Sequence, residues 1–414
     1  MAQCLLWKKN APIIRRIDEN DVYKILMMYL IWDQYPNLEV MFGFKNRTTS
    51  VALAQYVDVS ELKEQIQETA KLQFTPEVIA IYRDWDMFSE DFLQFLGTLR
   101  LNQPTVGVVK GVLHIETCGN WLRDTLWEIY ILAIVSELAG RGRAKEEGIS
   151  ERALFRAGDE RLTEKINFFK QHPEFKISQF GLRRRFSGPW EAHVTQRLIE
   201  ETSVITGISN MFFADHFRIP AQGTNAHELP MALTALARHS GPKAMREAPY
   251  LVLAHWQRLF GRKSLIKLDD TYGSESFRLD LPRQYLESFR GFRHDSGDPF
   301  TYGEEVIQLY QKYGIDARTK VIIFSDGLTP DKVLKLYEHF NGRIIVLFGM
   351  GTNLTNDFGV LPALSLVMKI TEAAGNPAVK LSNNLYKATG LPEEVEYYKR
   401  VFGYTNTASE AVVY

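Results

Sequence analysis

The polar run from residue 292 to 299, Phe-Arg-His-Asp-Ser-Gly-Asp-Pro, gathers a cation, an imidazole, two carboxylates and a hydroxyl in a few residues. Such charges cost several kcal/mol to bury unless they are paired. The run lies between two helix-like segments, 284–289 and 302–313, and α/β proteins often carry their chemistry on polar loops between packed elements. Because Gly, Asp and Pro are also common turn residues, a solvated turn is the alternative interpretation.

A second candidate is His227, which follows a Gly-rich turn and opens a helix-like segment, 229–238. A single histidine is more often structural than catalytic, but Asp270 ends the next strand-like segment. A carboxylate on one ring nitrogen would fix the tautomer and leave the other nitrogen as a nucleophile or base. The three arginines at 183–185 could grip a carboxylate or phosphate, or could form a solvated basic face.

Two glycine-containing loops follow late strand-like segments: Ser325-Asp326-Gly327, and residues 349–353 with the sequence Gly-Met-Gly-Thr-Asn. Glycines let backbone N–H groups approach an anion, and the N-terminus of a following helix favours negative charge. Barrels often bind phosphate with their last two strand-loops, although two tight turns would give the same pattern. Asp295 and Asp298 could bind Mg²⁺ together with substrate phosphates. No His-x-His, His-Glu-x-x-His or Walker motif is present.

These loops all follow short apolar segments and precede helix-like ones. Besides the unit that carries residues 292–299, we predict strands at 176–180, 204–206, 217–220, 265–268, 321–324 and 344–348. Seven such units, or eight if 366–370 also closes the sheet, favour a parallel α/β barrel over an open sheet. In a barrel the loops after the strands converge on one face, so the candidate residues should meet there.

The first 120 residues differ, and we expect them to form a smaller mixed α/β domain, joined by residues 375–414. Its predicted elements are a helix at 21–32, a strand at 40–44 before the basic patch of Lys45 and Arg47, and a strand pair within 106–115. The barrel domain is expected at 121–374. It should open with an apolar helix, whose predicted core residues are Leu122, Leu126, Ile129, Ala133 and Leu138.

The composition excludes several classes of protein. The chain has 414 residues, of which 45% are apolar and 24% charged, as in ordinary globular proteins. Its 49 basic and 50 acidic residues nearly cancel, so the net charge does not suggest a nucleic-acid binder. Cys4 and Cys118 are too few for a disulfide framework or a thiolate zinc site. The most apolar stretch, 126–138, is too short to span a bilayer and no secretory signal is visible, so we expect a cytoplasmic protein without a membrane partner.

Taken together and in order, these loops resemble those of nicotinate phosphoribosyltransferase, a member of the type II phosphoribosyltransferase family. The strongest matches are residues 293–299 and 349–357. The further matching stretches are 21–24, 42–47, 180–186, 207–210, 223–228, 268–272 and 324–328. The resemblance therefore covers most of the chain.

The resemblance implies an enzyme of NAD biosynthesis or salvage. It would form nicotinate mononucleotide and diphosphate from nicotinate and phosphoribosyl diphosphate (PRPP), and it would couple this step to ATP hydrolysis with Mg²⁺. Such enzymes are classed as ligases. The implied fold is an irregular α/β barrel with a smaller α/β domain, usually in a homodimer with shared active sites.

The resemblance also implies a role for each matching residue. His227 would be phosphorylated by ATP, with Asp270 as its carboxylate partner. Phe180 and, from the other subunit, Tyr23 would sandwich the pyridine ring. Arg183 and Arg293 would face the ring and the diphosphate, and Asp295 would lie near the ribose hydroxyls. Lys45 and Arg47 would reach a neighbouring subunit's phosphates. The 5′-phosphate would be held by Gly327, Gly351 and Thr352, with Ser325 and Gly349 in the same loops.

Some positions depart from the family pattern. Asn120 stands where proline is usual, Ile208 where threonine is expected, and Leu229 and Pro230 where an aromatic residue is common. Nicotinamide phosphoribosyltransferase, which has the same architecture, is the nearest alternative. Ser209 favours nicotinate, because a hydroxyl can donate to an acid, whereas a carboxylate there would repel it.

Two other functions remain open on the sequence. A sugar-phosphate lyase or aldolase would need a Schiff-base lysine at a strand end, and Lys267 is the best candidate. A non-catalytic scaffold or ligand-binding module would leave the converging charges unexplained.

Overall fold

The computed structural model describes residues 6–7, 11–261, 263, 265–406 and 409–410, so Cys4 lies outside the described residues. The α-helices of this part are α1 Val22–Gln34, α2 Val59–Ala70, α3 Pro76–Asp84, α4 Glu90–Thr98, α5 Trp121–Asp124, α6 Trp127–Glu146, α7 Glu151–Lys170, α8 Gly188–Glu201, α9 Met211–Phe217, α10 Glu228–Leu236, α11 Pro242–Phe260, α12 Ser274–Leu279, α13 Arg283–Ser288, α14 Pro299–Lys312, α15 Pro330–Phe340, α16 Thr352–Thr355 and α17 Pro392–Phe402. The strands are β1 Glu39–Asn46, β2 Thr105–Val109, β3 Val112–Asn120, β4 Ile177–Gln179, β5 Ile205–Ile208, β6 Ile266–Leu268, β7 Gly291–His294, β8 Val321–Phe324, β9 Ile345–Met350, β10 Leu366–Ala373 and β11 Asn376–Pro377.

The strands form two sheets. The first is antiparallel, with the strand order β11-β10-β1-β3-β2, and the second has the order β5-β4-β9-β8-β7-β6. Every pairing in the second sheet is parallel. The protein is therefore a mixed α/β structure, and the parallel sheet uses the predicted strands at 176–180, 204–206, 265–268, 321–324 and 344–348.

The predicted strand at 217–220 is wrong. Phe217 ends α9, and Arg218 turns the chain with a φ of +56°. Of this segment, Ala221 alone bridges to the sheet, through a single parallel pairing with Ile208, the last residue of β5. Because Pro220 has no N–H group to donate, a longer ladder cannot form there.

The predicted strand at 366–370 exists, but it does not close the parallel sheet. It belongs to β10, which pairs antiparallel with β1 from Val40↔Ala373 to Asn46↔Leu366. A tight turn at Ala374 and Gly375, both with positive φ, then leads into β11. Residues 366–377 thus extend the sheet of the N-terminal region, because β1 offers them a long unpaired edge.

Backbone hydrogen bonds do not close the predicted barrel. Among the described residues, β5 and β6 are the two edges of the parallel sheet, and no ladder joins them. Side chains bridge the gap instead, since His227 contacts Asp270 directly after β6 and Arg293 on β7 donates to Thr224. The loops that follow the strands therefore meet although the sheet is open.

The core is built around α6, whose residues from Trp127 to Gly140 are all buried. The predicted core residues Leu122, Leu126, Ile129, Ala133 and Leu138 are at most 3% exposed, which confirms that interpretation. In the described part of the chain, no helix combines the length and the hydropathy that crossing a bilayer requires.

The helices begin where the sequence provides caps. The side chain of Thr329 accepts a hydrogen bond from the N–H of Lys332, and Pro330 occupies the first helical position of α15, as predicted. Short buried strands followed by capped helices place each intervening loop at the carboxyl edge of the parallel sheet. That edge carries the candidate site.

Gly291 on β7 is a position where we expect an added methyl group to destabilise the fold. A Cβ atom there would lie 1.8 Å from the carbonyl oxygen of Val321 on β8. Gly291→Ala should lower the free energy of unfolding by about 1–3 kcal/mol, because overpacking forces the strands apart. Gly107→Ala on β2 is the matched control, since nothing lies within 4 Å of its Cβ position. Equal urea midpoints for the two variants would contradict this prediction.

Candidate active site

A single cavity lies at the carboxyl edge of the parallel sheet, between that sheet and the antiparallel one. Thirteen of the residues singled out from the sequence line it: Tyr23, Arg47, Phe180, Arg183, Ser209, His227, Arg293, Asp295, Ser325, Gly327, Gly349, Gly351 and Thr352. Asp270 lies behind this wall and contacts His227. Residues separated by more than 300 positions in the chain therefore meet in one place.

His227 and two carboxylates form a compact group in the cavity wall. The Nε2 atom of His227 lies 2.7 Å from Oδ1 of Asp270 and 3.7 Å from Oδ2 of Asp295. One donor atom from each of the three residues falls within 4.8 Å of the others, a spacing that can hold a metal ion. The three side chains come from three separate loops, so no local metal motif could reveal them.

The environment of His227 fixes its protonation state. Burial lowers the pKa of His227 to about 4, and the charge of Lys380 adds to this effect while Asp270 opposes it. The ring is therefore neutral near pH 7. Because an ionised carboxylate only accepts hydrogen bonds, Nε2 carries the hydrogen toward Asp270 and Nδ1 keeps a lone pair. A neutral imidazole with one oriented, unprotonated nitrogen is suited to nucleophilic attack.

Asp270 is ionised despite its burial. Burial alone would raise its pKa, but His227, Lys380 and the hydroxyl of Ser296 outweigh this and hold the pKa of Asp270 well below its usual range. The hydroxyl of Ser382 also donates to its carboxylate at 3.3 Å. Asp270 is thus a fixed negative charge that orients the histidine.

Phe180 and Tyr23 supply aromatic faces to the cavity. Phe180 follows β4, and its ring lies against Gly349, where a Cβ atom would come within 2.5 Å of the ring. Gly223 similarly makes room for Tyr23, since its Cβ position lies 3.2 Å from that of the tyrosine. A side chain at position 349 would therefore displace the ring of Phe180, and one at position 223 would press on Val22, whose Cγ1 would lie 2.8 Å away, and on the start of Tyr23.

Tyr23 lines the cavity of its own chain, whereas the family resemblance assigned it to the cavity of the other subunit. Two backbone contacts hold the start of α1 in place: the N–H of Val22 donates to the carbonyl of Ser209 at 2.8 Å, and the N–H of Met211 donates to that of Asn20 at 3.0 Å. Arg47, assigned to a neighbouring subunit's phosphates, also lines its own chain's cavity, and it donates to the carbonyl of Lys387 at 2.7 Å.

Arg293 and the glycine-containing loops form another part of the wall. Nη1 of Arg293 donates to the hydroxyl of Thr224 at 2.6 Å and to the carbonyl of Asn225 at 3.0 Å. Its Nη2 lies 3.7 Å from Asp295. The hydroxyl of Ser325 donates to the carbonyl of His294 at 2.9 Å, and Gly327 adopts a φ of +56° that favours glycine.

Lys45 and Asp298 do not line the cavity. Lys45 is exposed on β1. Asp298 is exposed and caps α14, where its Oδ1 accepts a hydrogen bond from the N–H of Thr301 at 2.7 Å. The carboxylate of Asp298 is therefore used by a helix terminus, and its position does not support the magnesium site predicted there.

Lys267 also lies away from the cavity. Its side chain is fully buried between the rings of Phe289 and Phe292, and its Nζ donates to the carbonyl of Tyr285 at 3.1 Å. A Schiff base needs a lysine that the substrate can reach. The lyase interpretation therefore loses its best candidate residue.

Lys380 and Lys387 also line the cavity. They are not among the residues singled out from the sequence, and the polar run Ser382-Asn383-Asn384 between them is the one local signal that could have pointed to this segment. Burial lowers the pKa of Lys380 to about 8, against the opposing charges of Asp270 and Asp295. Lys387 donates to Asp326 at 2.6 Å and to the carbonyl of Asp295 at 2.9 Å. Both lysines reach the site from the far end of the chain.

A buried ion cluster adjoins the aromatic part of the cavity, and its members Glu128 and Lys369 belong to the cavity wall. Nζ of Lys24 lies 2.8 Å from Glu128 and also bonds to Glu228, while Lys369 donates to Glu128 at 2.6 Å. Burial alone would raise the pKa of Glu128, but Lys24, Lys369 and Arg183 hold it far below its usual range. The cluster connects Tyr23, which precedes Lys24, with His227, which precedes Glu228.

Comparison with known proteins agrees with this site. The sequence matches the nicotinate phosphoribosyltransferase family over residues 175–406 and the N-terminal domain of that family over residues 19–136. These two ranges contain Lys45 and every residue of the cavity wall, in both its aromatic and its charged parts.

Two solved structures are similar over nearly the whole chain. A nicotinate phosphoribosyltransferase from Porphyromonas gingivalis shares 30% sequence identity, covers 94% of this chain and 100% of its own, and superposes with a TM-score of 0.84. One from Vibrio cholerae shares 31% identity, covers 95% of this chain and 94% of its own, and has a TM-score of 0.85. The chain belongs to the nicotinate phosphoribosyltransferase family.

Proposed function

We propose that the chain forms nicotinate mononucleotide and diphosphate from nicotinate and PRPP, and that ATP drives the reaction through phosphorylation of His227. The observation that carries this proposal is the single cavity lined by two aromatic rings, several cations and the His227 group. A flat aromatic acid, a ribose ring and a diphosphate each find suitable partners there.

The aromatic end of the cavity would bind nicotinate. Phe180 and Tyr23 would hold the pyridine ring between their faces and point its nitrogen at the anomeric carbon of PRPP. Arg183 would attract the carboxylate of the ring. Ser209 would contribute a hydroxyl to the same group.

The remaining wall would bind PRPP. Asp295 would accept hydrogen bonds from the ribose hydroxyls, and Arg293 would contact the diphosphate. As the diphosphate leaves, positive charge develops on the sugar, and nearby carboxylates would stabilise it. The 5′-phosphate would lie in the loops that follow β8 and β9, against Ser325, Gly327, Gly349, Gly351 and Thr352.

The carboxylates of Asp270 and Asp295 beside His227 fit a divalent cation, since their donor atoms lie within 4.8 Å of one another. Mg²⁺ prefers oxygen ligands and often binds through one or two carboxylates plus substrate phosphates. When bound, it would neutralise charge on the diphosphate and on ATP. Asp295, which is partly open to the cavity, would hold it on the protein side.

In the ATP-dependent step, Nδ1 of neutral His227 would attack the γ-phosphorus of ATP, and ADP would leave as the bond to its β-phosphate oxygen breaks. The phosphoryl group would add about −1.5 to −2 charges to the loop if it behaves like other phospho-residues. Lys380 would balance part of that charge. The phosphorylated loop would then organise the PRPP site until hydrolysis restores the histidine.

A homodimer is part of the proposal, with Lys45 exposed on β1 as the residue that would reach a neighbouring subunit. Tyr23 and Arg47 would act in their own chain's cavity. We also retain two domains, 1–120 joined by 375–414 and an α/β barrel domain at 121–374. Because β10 pairs with β1, we move residues 366–373 from the second of these ranges to the first.

The test is the formation of nicotinate mononucleotide with and without ATP, and with nicotinamide in place of nicotinate. We expect kcat/KM for nicotinate to exceed that for nicotinamide by roughly 100-fold or more, because a site built for one hydrogen-bonding group rejects another. ATP should raise nicotinate turnover. Equal kcat/KM values for the two bases would overturn the substrate assignment in favour of the nicotinamide alternative.

A further inference from the structure

Asp21 immediately precedes α1 and lines the cavity, with only 3% of its surface exposed. An aspartate at this position usually caps the helix, but its side chain makes no capping hydrogen bond here. Its Oδ1 instead accepts a hydrogen bond from the hydroxyl of Ser209 at 2.5 Å. A backbone bridge between Asp21 and Asn210 holds the two side chains together.

The charges around Asp21 come from several elements. Arg183 after β4 is a cation that acts on Asp21, and Glu191 on α8 and Glu128 on α6 are carboxylates that act on it. Tyr23 on α1 is a further titratable group that faces it. Burial raises the pKa of Asp21 to about 6, although Ser209 and Arg183 oppose the shift. Asp21 can therefore gain or lose a proton near neutral pH at a small cost in free energy.

The hydroxyl of Ser209 has one hydrogen, and the protonation state of Asp21 determines the direction of that hydrogen. When Asp21 is ionised it can only accept, so the serine hydrogen is used on Asp21 and only oxygen lone pairs face a ligand. That state suits a donor such as an amide NH₂ group. When Asp21 is protonated it donates to Ser209, and the serine hydrogen is free for a carboxylate.

We propose that Asp21 is a positioning residue that takes up one proton when nicotinate binds, so that Ser209 can donate its hydrogen to the ligand carboxylate. This inference rests on the nicotinate activity proposed above. The proton comes from solvent and no covalent bond changes. Uptake also removes the repulsion between the carboxylate of Asp21 and that of the ligand in one buried site, where Arg183 is the cation that acts on Asp21.

The experiment is calorimetric titration of the wild-type protein with nicotinate at pH 7.5 in two buffers of different ionisation enthalpy. We expect an uptake of about one proton per nicotinate bound, and a Kd that rises about tenfold per pH unit above pH 6–7. In Asp21→Asn the amide donates permanently to Ser209. That variant should show almost no uptake and should keep its low-pH affinity up to pH 8.

A second variant, Ser209→Ala, removes the hydrogen that the ligand would accept. It should weaken nicotinate binding at pH 6, where the wild type binds best, and should flatten the pH dependence. The melting temperature of each variant reports whether it is folded. The proton count of the wild type tests the inference even if neither variant folds.

Nicotinate binding without proton uptake, or with a Kd that is constant from pH 6 to 8, would overturn the role of Asp21. So would a folded Asp21→Asn variant that no longer binds nicotinate. If the wild type forms nicotinate mononucleotide normally in those cases, the proposed function stands and only this inference fails. If the wild type neither binds nor converts nicotinate, the proposed function itself fails.

Discussion

Replacing His227 with asparagine is expected to abolish the transfer of phosphate from ATP to the protein. Asparagine has no ring nitrogen to attack phosphorus. Asp270 keeps the hydrogen bonds from the hydroxyls of Ser296 and Ser382, so the surrounding loop should keep its structure. The measurement is incubation with γ-labelled ATP, followed by acid and base treatment. The wild type should carry an acid-labile, base-stable label, and the variant none. Stimulation of nicotinate turnover by ATP should disappear with the label.

A second histidine–aspartate pair gives a matched control. Nε2 of His193 lies 2.8 Å from Asp159, nearly the distance found for His227 and Asp270, but on α8 and outside the cavity. His193→Asn should therefore leave both the label and the ATP effect intact. A label that persists in His227→Asn, or that is lost in His193→Asn, would contradict the assignment of His227 as the phosphorylated residue.

The meeting of His227 and Asp270 could be predicted from the sequence because the carboxyl ends of parallel strands lie at one edge of a sheet, so polar groups beyond them tend to converge. His227 reaches that edge although the predicted strand before it, 217–220, does not form and only Ala221 bridges to β5. The predicted neighbours lie 2.7 Å apart. The arrival of Arg293 and Gly351 at the same cavity follows from the same rule.

Contacts with the antiparallel sheet could not be predicted in this way. A run of alternating apolar residues indicates a strand but does not name its partner, and β10 pairs with β1 more than 300 residues away in the chain. Lys380 and Lys387 enter the cavity only because that pairing brings the C-terminal part of the chain back to the sheet edge. Their local sequence carries no sign of it.

Residue type and local sequence also give a wrong prediction where one kind of side chain can either cap a helix or serve the site. Asp298 lies in the most polar loop of the site and has the right group for Mg²⁺, but its carboxylate caps α14. Asp21 has the position of a helix cap and bonds to Ser209 instead. Which use an aspartate takes depends on the backbone around it, and that is settled only by the folded structure.

Replacing Lys24 with methionine is expected to lower the free energy of unfolding more than any other substitution proposed above. Lys24 is fully buried and bonds to both Glu128 and Glu228, so the variant keeps two buried carboxylates with less compensation. Removing one partner of a buried ion pair typically costs 3–5 kcal/mol, which is about the loss we expect in the free energy of unfolding at pH 7.5. Lys369 still pairs with Glu128, and Trp121 and Thr125 still donate to Glu228, so the variant should fold.

Lys71→Met is the matched control, because Lys71, directly after α2, forms an exposed pair with Glu68 and such pairs contribute about 0–1 kcal/mol.

The pH dependence of the stability loss gives a second check. In the wild type the pKa of Glu128 is depressed, so its stabilising contribution is present above the unfolded-state pKa and is lost only in strong acid. Without Lys24 that pKa should rise, and the penalty of the uncompensated charge should shrink as the pH falls toward 5. The difference between Lys24→Met and wild type in urea unfolding should therefore be larger at pH 7.5 than at pH 5. A loss no greater than that of Lys71→Met, or one that does not change with pH, would mean that the cluster does not hold α1 and the His227 loop together electrostatically.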